Sequence, residues 1–355
     1  MRHPLDLRVT AVPDTTRPPV TRQIPIDHRS AVQLAVASAR RVAEAAGLPG
    51  ALPEKAAVVA GELATNLHKH ATGGVLYLQP LPLGRGVEIV AADGGPGIRS
   101  VDAALTDGFT TRGTLGAGLG AVRRIAGELA IRTDGSGTLV CARLVVPGES
   151  GESGESGESV GKIGTVCLPA DGQSSTGEAA ACGDAAAVVE TPAGRTALLV
   201  DALGHGPVAD EAAERAMAAF RQAPDAPPAE LITTLHRALG RTRGAAVALL
   251  RLAGDHMEFC ATGNVRLVLT GPDRARSGPQ GPPGIVGYNL PRPVVHRLPV
   301  TAATTWLLHT DGIDASWSRG SAPFLFRLPP SLLAPALAHR HRHLRDDAAV
   351  IALAP

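Results

Sequence analysis

Glu62-Leu-Ala-Thr-Asn66, Asp93-Gly-Gly-Pro-Gly97 and Gly116-Ala-Gly-Leu-Gly120 follow one another along the chain in that order. A carboxylate and an amide four residues apart on a helix share one face. Glu62 is thus placed to orient a nucleophile, and Asn66 to offer an oxygen to Mg2+. Glycines of the later segments, Gly95, Gly97, Gly116, Gly118 and Gly120, let backbone N–H groups approach phosphates with no Cβ in the way. Each segment alone is ordinary, since helical acids are usually solvated and Asp-Gly-Gly-Pro-Gly also makes turns. Their order and spacing together point to ATP bound with its metal.

Around these segments the apolar pattern predicts a strand over 21–27, a helix over 31–46 and a second helix from Pro53 to about His70. A hairpin over 75–79 and 87–92 delivers Asp93 to a strand end, and a short helix near Val101 follows. A helix over 119–129 and paired strands over 130–133 and 138–145 complete the unit. Helices on one face of a mostly antiparallel sheet are expected. His68, Lys69 and His70 read as a basic helix end, favoured by the helix dipole.

Glu62-Leu-Ala-Thr-Asn66-Leu-His-Lys-His-Ala71, Asp93-Gly-Gly-Pro-Gly-Ile98, Gly116-Ala-Gly-Leu-Gly120 and Gly135-Ser-Gly-Thr138 resemble the GHKL ATPases, and within them the RsbT-type anti-sigma serine kinases, over residues 21–146. The resemblance implies Mg2+ on Asn66, Glu62 as general base toward a serine hydroxyl, and Asp93 accepting from the adenine amino group. Gly97, Gly116, Gly118 and Gly120 would shape the pocket, Thr138 would lie near adenine, and 107–115 would form a lid.

From Gly148 to Ser159 the triplet Gly-Glu-Ser recurs, supplying no apolar period. It reads as a flexible linker spanning on the order of 20 Å and letting two domains reorient independently. The expected division is a loose arm (1–20), an ATP-binding domain (21–147), the linker (148–160) and a second domain (161–355). The second domain reads as strands over 163–168, 185–190, 195–201, 245–252, 257–261, 266–270, 304–310 and 348–353. Helices are expected over 208–221, 228–239 and 330–339, and 271–293 reads as a long Pro/Gly-rich loop.

Asp184, Asp201, Asp311 and Asp346 fall at the ends of these strands. Gathered carboxylates repel one another, and hard divalent cations offset that repulsion. Two such ions would bridge a hydroxide and a phosphate. Gly183-Asp184, Asp201 with Gly204-His205-Gly206, Gly263-Asn264, Asp311-Gly312 and Asp346-Asp347 resemble the PPM protein phosphatases of the SpoIIE/RsbX type. That resemblance implies Asp184 and Asp201 bridging Mn2+ or Mg2+, completed by Asp311, Asp346 and the carbonyl of residue 202. The family's glycine at this last position is Ala202, which would be strained if the turn needs a positive φ. His205 reads as shaping its loop, and His339, His341 and His343 as a basic helix end rather than a second metal site.

The expected fold class is α+β in two domains, a GHKL (Bergerat) α/β sandwich followed by a PPM-type αββα sandwich. A net charge of +1, from 34 basic and 33 acidic residues, offers no broad footprint for nucleic acid or an anionic membrane. Aromatics at 3% leave few platforms for stacking bases. Cys141, Cys167, Cys182 and Cys260 form no close pairing motif and read as small buried hydrophobes. The start, Met1-Arg-His-Pro, lacks the apolar core of a secretory signal and no stretch approaches a membrane span, so a reducing cytoplasm is expected.

The resemblances together imply a bifunctional switch that phosphorylates and dephosphorylates STAS-domain anti-sigma antagonists or stressosome-like proteins, controlling an alternative sigma factor. That sigma factor or a downstream phosphatase would be a further partner. The alternative is an ATP-binding module that holds a partner without kinase turnover, fused to an active phosphoserine/threonine phosphatase. A sensor histidine kinase fragment would need a dimerisation helix with its acceptor histidine, and none is evident.

Overall fold

The computed structural model describes residues 19–105, 118–146, 160–170, 180–191, 194–320 and 323–355. The Gly-Glu-Ser repeats, the expected lid, Gly116 and residues 1–18 of the expected arm lie outside them. The first half comprises β1 (Arg22–Pro25), α1 (Arg29–Ala45), α2 (Leu52–His70), β2 (Val75–Pro80), β3 (Gly86–Asp93), α3 (Val101–Ala104), α4 (Gly118–Ile125), β4 (Glu128–Asp134) and β5 (Gly137–Val145). Its strands form one antiparallel sheet in the order β1-β2-β3-β5-β4. Buried Ala31, Ala35, Ala39 and Ala43 repeat every fourth residue on α1, and α2 offers Ala56, Ala60 and Ala64. Such small side chains on one stripe let two helices approach closely.

Strand alternation gives this sheet two different faces. Leu76, Leu78, Val87, Ile89, Ala91, Val140, Ala142 and Leu144 pack under the helices. The intervening Tyr77, Val90, Ala92, Leu139 and Cys141 belong to a different apolar cluster.

The second half comprises β6 (Ile163–Leu168), β7 (Asp184–Thr191), β8 (Gly194–Ala202), α5 (Pro207–Gln222), α6 (Pro228–Leu239), β9 (Ala245–Ala253), β10 (His256–Thr262) and β11 (Arg266–Thr270). After them come β12 (Ala275–Ser277), β13 (Val295–Pro299), β14 (Thr305–His309), α7 (Pro323–Phe326), α8 (Pro330–His341) and β15 (Ala348–Leu353). Two sheets, β13-β10-β9-β8-β7 and β12-β11-β14-β15-β6, enclose one core, and α5 with α6 covers the outer face of the first. Helix α8 covers the second sheet, which completes the αββα arrangement.

The apolar residues of α8 fall all around its circumference, and Ser331 to Ala338 are all buried. A helix apolar on every side needs a neighbour on every side. Here one neighbour is the sheet of β6 and β15 and the other is the face of the β1-β2-β3-β5-β4 sheet turned away from α1 and α2, so Tyr77, Val90 and Leu139 share a core with Leu332, Leu333 and Leu337. Polar groups cross the same boundary. Thr21 N–H donates to Cys167 O at 2.7 Å, Gln79 Nε2 to Thr165 O at 2.7 Å and Arg143 Nη2 to Ile163 O at 2.8 Å. Arg143 is held by Glu88 at 2.6 Å from Nε, with both side chains buried. The two halves are therefore one packed body, and the expectation of independent reorientation does not hold. A tether permits motion only where no apolar face is left to bury.

Candidate active sites

In the first half, Glu62 and Asn66 occupy one half-buried face of α2, one turn apart. Glu62 Oε2 accepts the Gly118 N–H at 3.1 Å, which ties it to the first residue of α4. Asp93 ends β3 opposite Thr138 of β5, and its Oδ1 accepts the Gly95 N–H at 2.7 Å. Gly94 N–H donates to Thr72 O at 2.9 Å, so the glycine turn sits at the foot of α2. Gly97 is obligatory at its place, with φ +79 and room for a Cβ only 2.2 Å from Asp134 O. Gly118 also has positive φ, and Gly120 is buried on α4. Burial pushes the Asp93 carboxyl up, opposed by the Gly95 and Thr138 N–H groups and by Arg340.

Thr133 was not singled out by the sequence. Its hydroxyl oxygen accepts from Ile98 N–H at 2.8 Å and lies 3.1 Å from the Thr138 hydroxyl, fastening the glycine turn to β4. Only alternation marks this threonine in the sequence, and it marks many others.

In the second half, Asp184 and Asp201 face each other across the β7–β8 pair. Thr310 Oγ1 donates to Asp184 Oδ2 at 2.7 Å, and Asn264 Nδ2 donates to Asp311 Oδ2 at 2.8 Å. Burial, then Asp311, Asp346 and Asp347, push the Asp201 carboxyl up to about 7. Asp184 is shifted well upward by burial and by Asp201. Asp201 thus lies within electrostatic reach of the other three expected aspartates.

One oxygen decides what they can hold. Asp201 Oδ2 is buried with no hydrogen-bond partner, a costly state that a cation would relieve. The donor set, all hard oxygens, fits Mg2+ or Mn2+. Among the described residues no three His, Cys, Asp or Glu groups close on a single ion position. An ion here would accordingly take one or two carboxylates and complete its shell with water, as Mg2+ commonly does.

Ala202 is the last residue of β8, paired with Ala245, and no described residue other than glycine has positive φ. The strain expected at Ala202 is absent, because the turn begins later, at Gly204 and Gly206 with φ +90 and +78. Asp347 is the residue the sequence reading undervalued. Its oxygens accept Ala170 N–H and Gly183 N–H, both at 2.7 Å, pinning the segment that carries Asp184. Asp346 is exposed, with Oδ1 accepting the Asp347 N–H at 3.0 Å, and the adjacent pair of acids in the sequence conceals this difference. His205 is exposed in the turn after β8. Tyr77 meets His339 edge-on, its hydroxyl 3.4 Å from Nδ1, so this histidine serves the seam between the halves.

The first site and its sheet define a nucleotide-binding domain, and residues 24–144 match the family model described as histidine kinase-like ATPase domain. The chain is 33% identical over 106 residues to the serine/threonine-protein kinase RsbT of Bacillus subtilis (strain 168), covering 29% of this chain and 80% of that kinase. Through this region the chain belongs to the RsbT family of histidine kinase-like ATPase domains. Among solved structures, a bacterial stressosome chain is 26% identical at a TM-score of 0.47, covering 54% of this chain and 97% of its own. RsbX in complex with magnesium is 18% identical at 0.42, covering 55% and 96%. No helix among the described residues is long and apolar enough to cross a membrane.

Proposed function

We propose that this chain sets the phosphorylation state of a protein switch in both directions, by ATP-dependent transfer to serine in its first half and metal-dependent phosphoserine hydrolysis in its second. The observation that carries this is a kinase-family domain joined to the facing pair Asp184 and Asp201, the second with an unpartnered buried oxygen. Glu62 takes the serine proton as general base, oriented by its bond to Gly118. Asn66 offers its oxygen to Mg2+, Asp93 accepts from the adenine amino group, and Gly95, Gly97, Gly116, Gly118 and Gly120 let backbone and phosphate meet, with Thr138 beside adenine.

In the second half Asp184 and Asp201, with Asp311, Asp346 and the Ala202 carbonyl, would hold two divalent ions, Mn2+ or Mg2+. Such ions, when bound, supply an activated water and neutralise phosphate charge. Thr310 and Asn264 keep two of these carboxylates aimed, and Asp347 fixes the strand beneath. By kinship with RsbT the substrates are STAS-domain antagonists or stressosome-like proteins in the cytoplasm. An alternative sigma factor is the target of control, and a downstream phosphatase a further partner.

Labelled ATP and STAS-domain proteins, incubated with the full chain, test both activities. Glu62→Ala should lower transfer about 100-fold or more while leaving ATP bound, and Asn66→Ala should weaken Mg-ATP itself. Asp201→Asn should abolish Mn2+-dependent phosphate release. Stable complexes without label transfer would reduce the first half to a binding module. Undiminished release by Asp201→Asn would remove that residue from the metal site.

A further inference from the structure

Arg340 lies in the last turn of α8, in the second half, yet its guanidinium grips the turn that closes the Asp93 pocket in the first. Its Nη2 donates to Ser136 O at 3.1 Å, and Nη1 and Nη2 each reach Ser136 Oγ at 3.3 Å. Gly137 fills the gap between this guanidinium and Asp93 so closely that a Cβ there would lie 2.0 Å from Asp93 O and 3.2 Å from Arg340 Nη2. The other side of the guanidinium is braced by the Phe324 ring, 5.5 Å from its centroid. A charge from one half therefore lies close to the backbone of Asp93 in the other, and within Coulombic reach of its carboxylate.

The backbone carrying Arg340 runs directly into the phosphatase site. His341 O accepts the Asp314 N–H at 2.8 Å, and Arg342 forms an isolated antiparallel bridge with Ile313. His343 N–H donates to Gly312 O at 2.8 Å, and Asp346 N–H to His343 O at 3.1 Å. Gly312 has no slack, since a Cβ there would lie 1.9 Å from Asp347 O. Residues 341–346 thus lie along the segment that follows Asp311 and end at Asp346, two of the four carboxylates.

We propose that Arg340 is a positioning residue that couples the two sites, so that a nucleotide held at Asp93 shifts the placement of Asp311 and Asp346 and thereby the rate of phosphate release. This deepens the two-site reading above and rests on it. A nucleotide amino N–H that donates to the Asp93 carboxylate changes the field that Arg340 experiences, and the grip on Ser136 changes with it. The connection is short, hydrogen-bonded and without a glycine hinge between residues 340 and 346. Coupling of this kind is a free energy and acts in both directions.

The test uses the full chain, ADP as a nucleotide that binds without transfer, and p-nitrophenyl phosphate with Mn2+ as a small phosphatase substrate. Saturating ADP should change the hydrolysis rate by roughly 5-fold or more, in the usual range of coupling between sites. The same addition should alter amide exchange at Asp314, His343 and Asp346. Arg340→Ala should keep ADP binding and basal hydrolysis but lose both responses, and Arg340→Lys, which keeps the charge, should recover part of them. ADP bound by calorimetry with rate and exchange unchanged overturns the coupling, as does an Arg340→Ala chain that responds like the parent. Failure of the chain to bind ADP, or to hydrolyse the ester without it, instead overturns the reading of that site and the coupling with it.

Discussion

Glu128 lines a cavity of about 290 Å3 between the two halves, with Cys141, Arg143, Gly161 and Ser331 around it. Burial pushes its carboxyl up from 4.5 to about 7, against Arg143 and with help from Glu88. The folded protein then holds a proton that the unfolded chain has already released, so stability falls as pH rises from about 4.5 to 7. The side chain is half-exposed, and solvent screening limits the effect to about 1 kcal/mol. Glu128→Gln should flatten that part of the urea midpoint against pH profile and leave the profile below pH 4 unchanged. A slope equal to the parent's between pH 5 and 7 would remove Glu128 as its source. At this scale the sequence shows chemistry better than environment. The placement of Glu62 and Asn66 on one helix face and of Asp93 at a strand end follows from the local pattern, whereas what Thr133, Asp347 and Arg340 touch depends on distant segments.

At the scale of elements, periodicity carries a long way because each strand or helix must present its apolar residues to a layer. Strands β6, β11 and β15 and helix α6 have the bounds that the apolar runs predict. The short β12 and the mostly exposed β13 escape such a reading, since edge strands bury too little to leave a pattern. Turns are decided by space rather than period. Gly137 has φ +146 and a Cβ position 2.0 Å from Asp93 O, while a Cβ on Gly135 would meet nothing within 4 Å. Gly137→Ala should cost about 2 kcal/mol or more and weaken ADP binding by displacing Asp93. Gly135→Ala should stay within about 0.5 kcal/mol and bind as the parent does. Equal urea midpoints and equal calorimetric affinities for the two variants would contradict this assignment of strain.

At the scale of the molecule, the Gly-Glu-Ser repeats suggest two independent domains, and the buried seam packs the two against each other. That seam was partly written in the sequence, in an α8 apolar on every side and a β3 whose Val87 to Ala92 are all buried. Gln79, Glu88 and Arg143 masked it, because polar residues on alternate strand positions read as a solvated face. Their partners, Thr165 O and Ile163 O, come from beyond the linker. A shared core of this kind predicts cooperative unfolding. Trp306 and Trp317, both in the second half, should report the same urea midpoint as loss of bound nucleotide from the first. Glu88→Ala leaves the Arg143 guanidinium buried without its carboxylate, which costs roughly 3–5 kcal/mol. Although Glu88 belongs to the first half, its loss should lower the tryptophan midpoint of the second by the same amount. Two separate transitions in the parent, or a Glu88→Ala shift confined to the nucleotide signal, would show that the seam does not join the halves in solution.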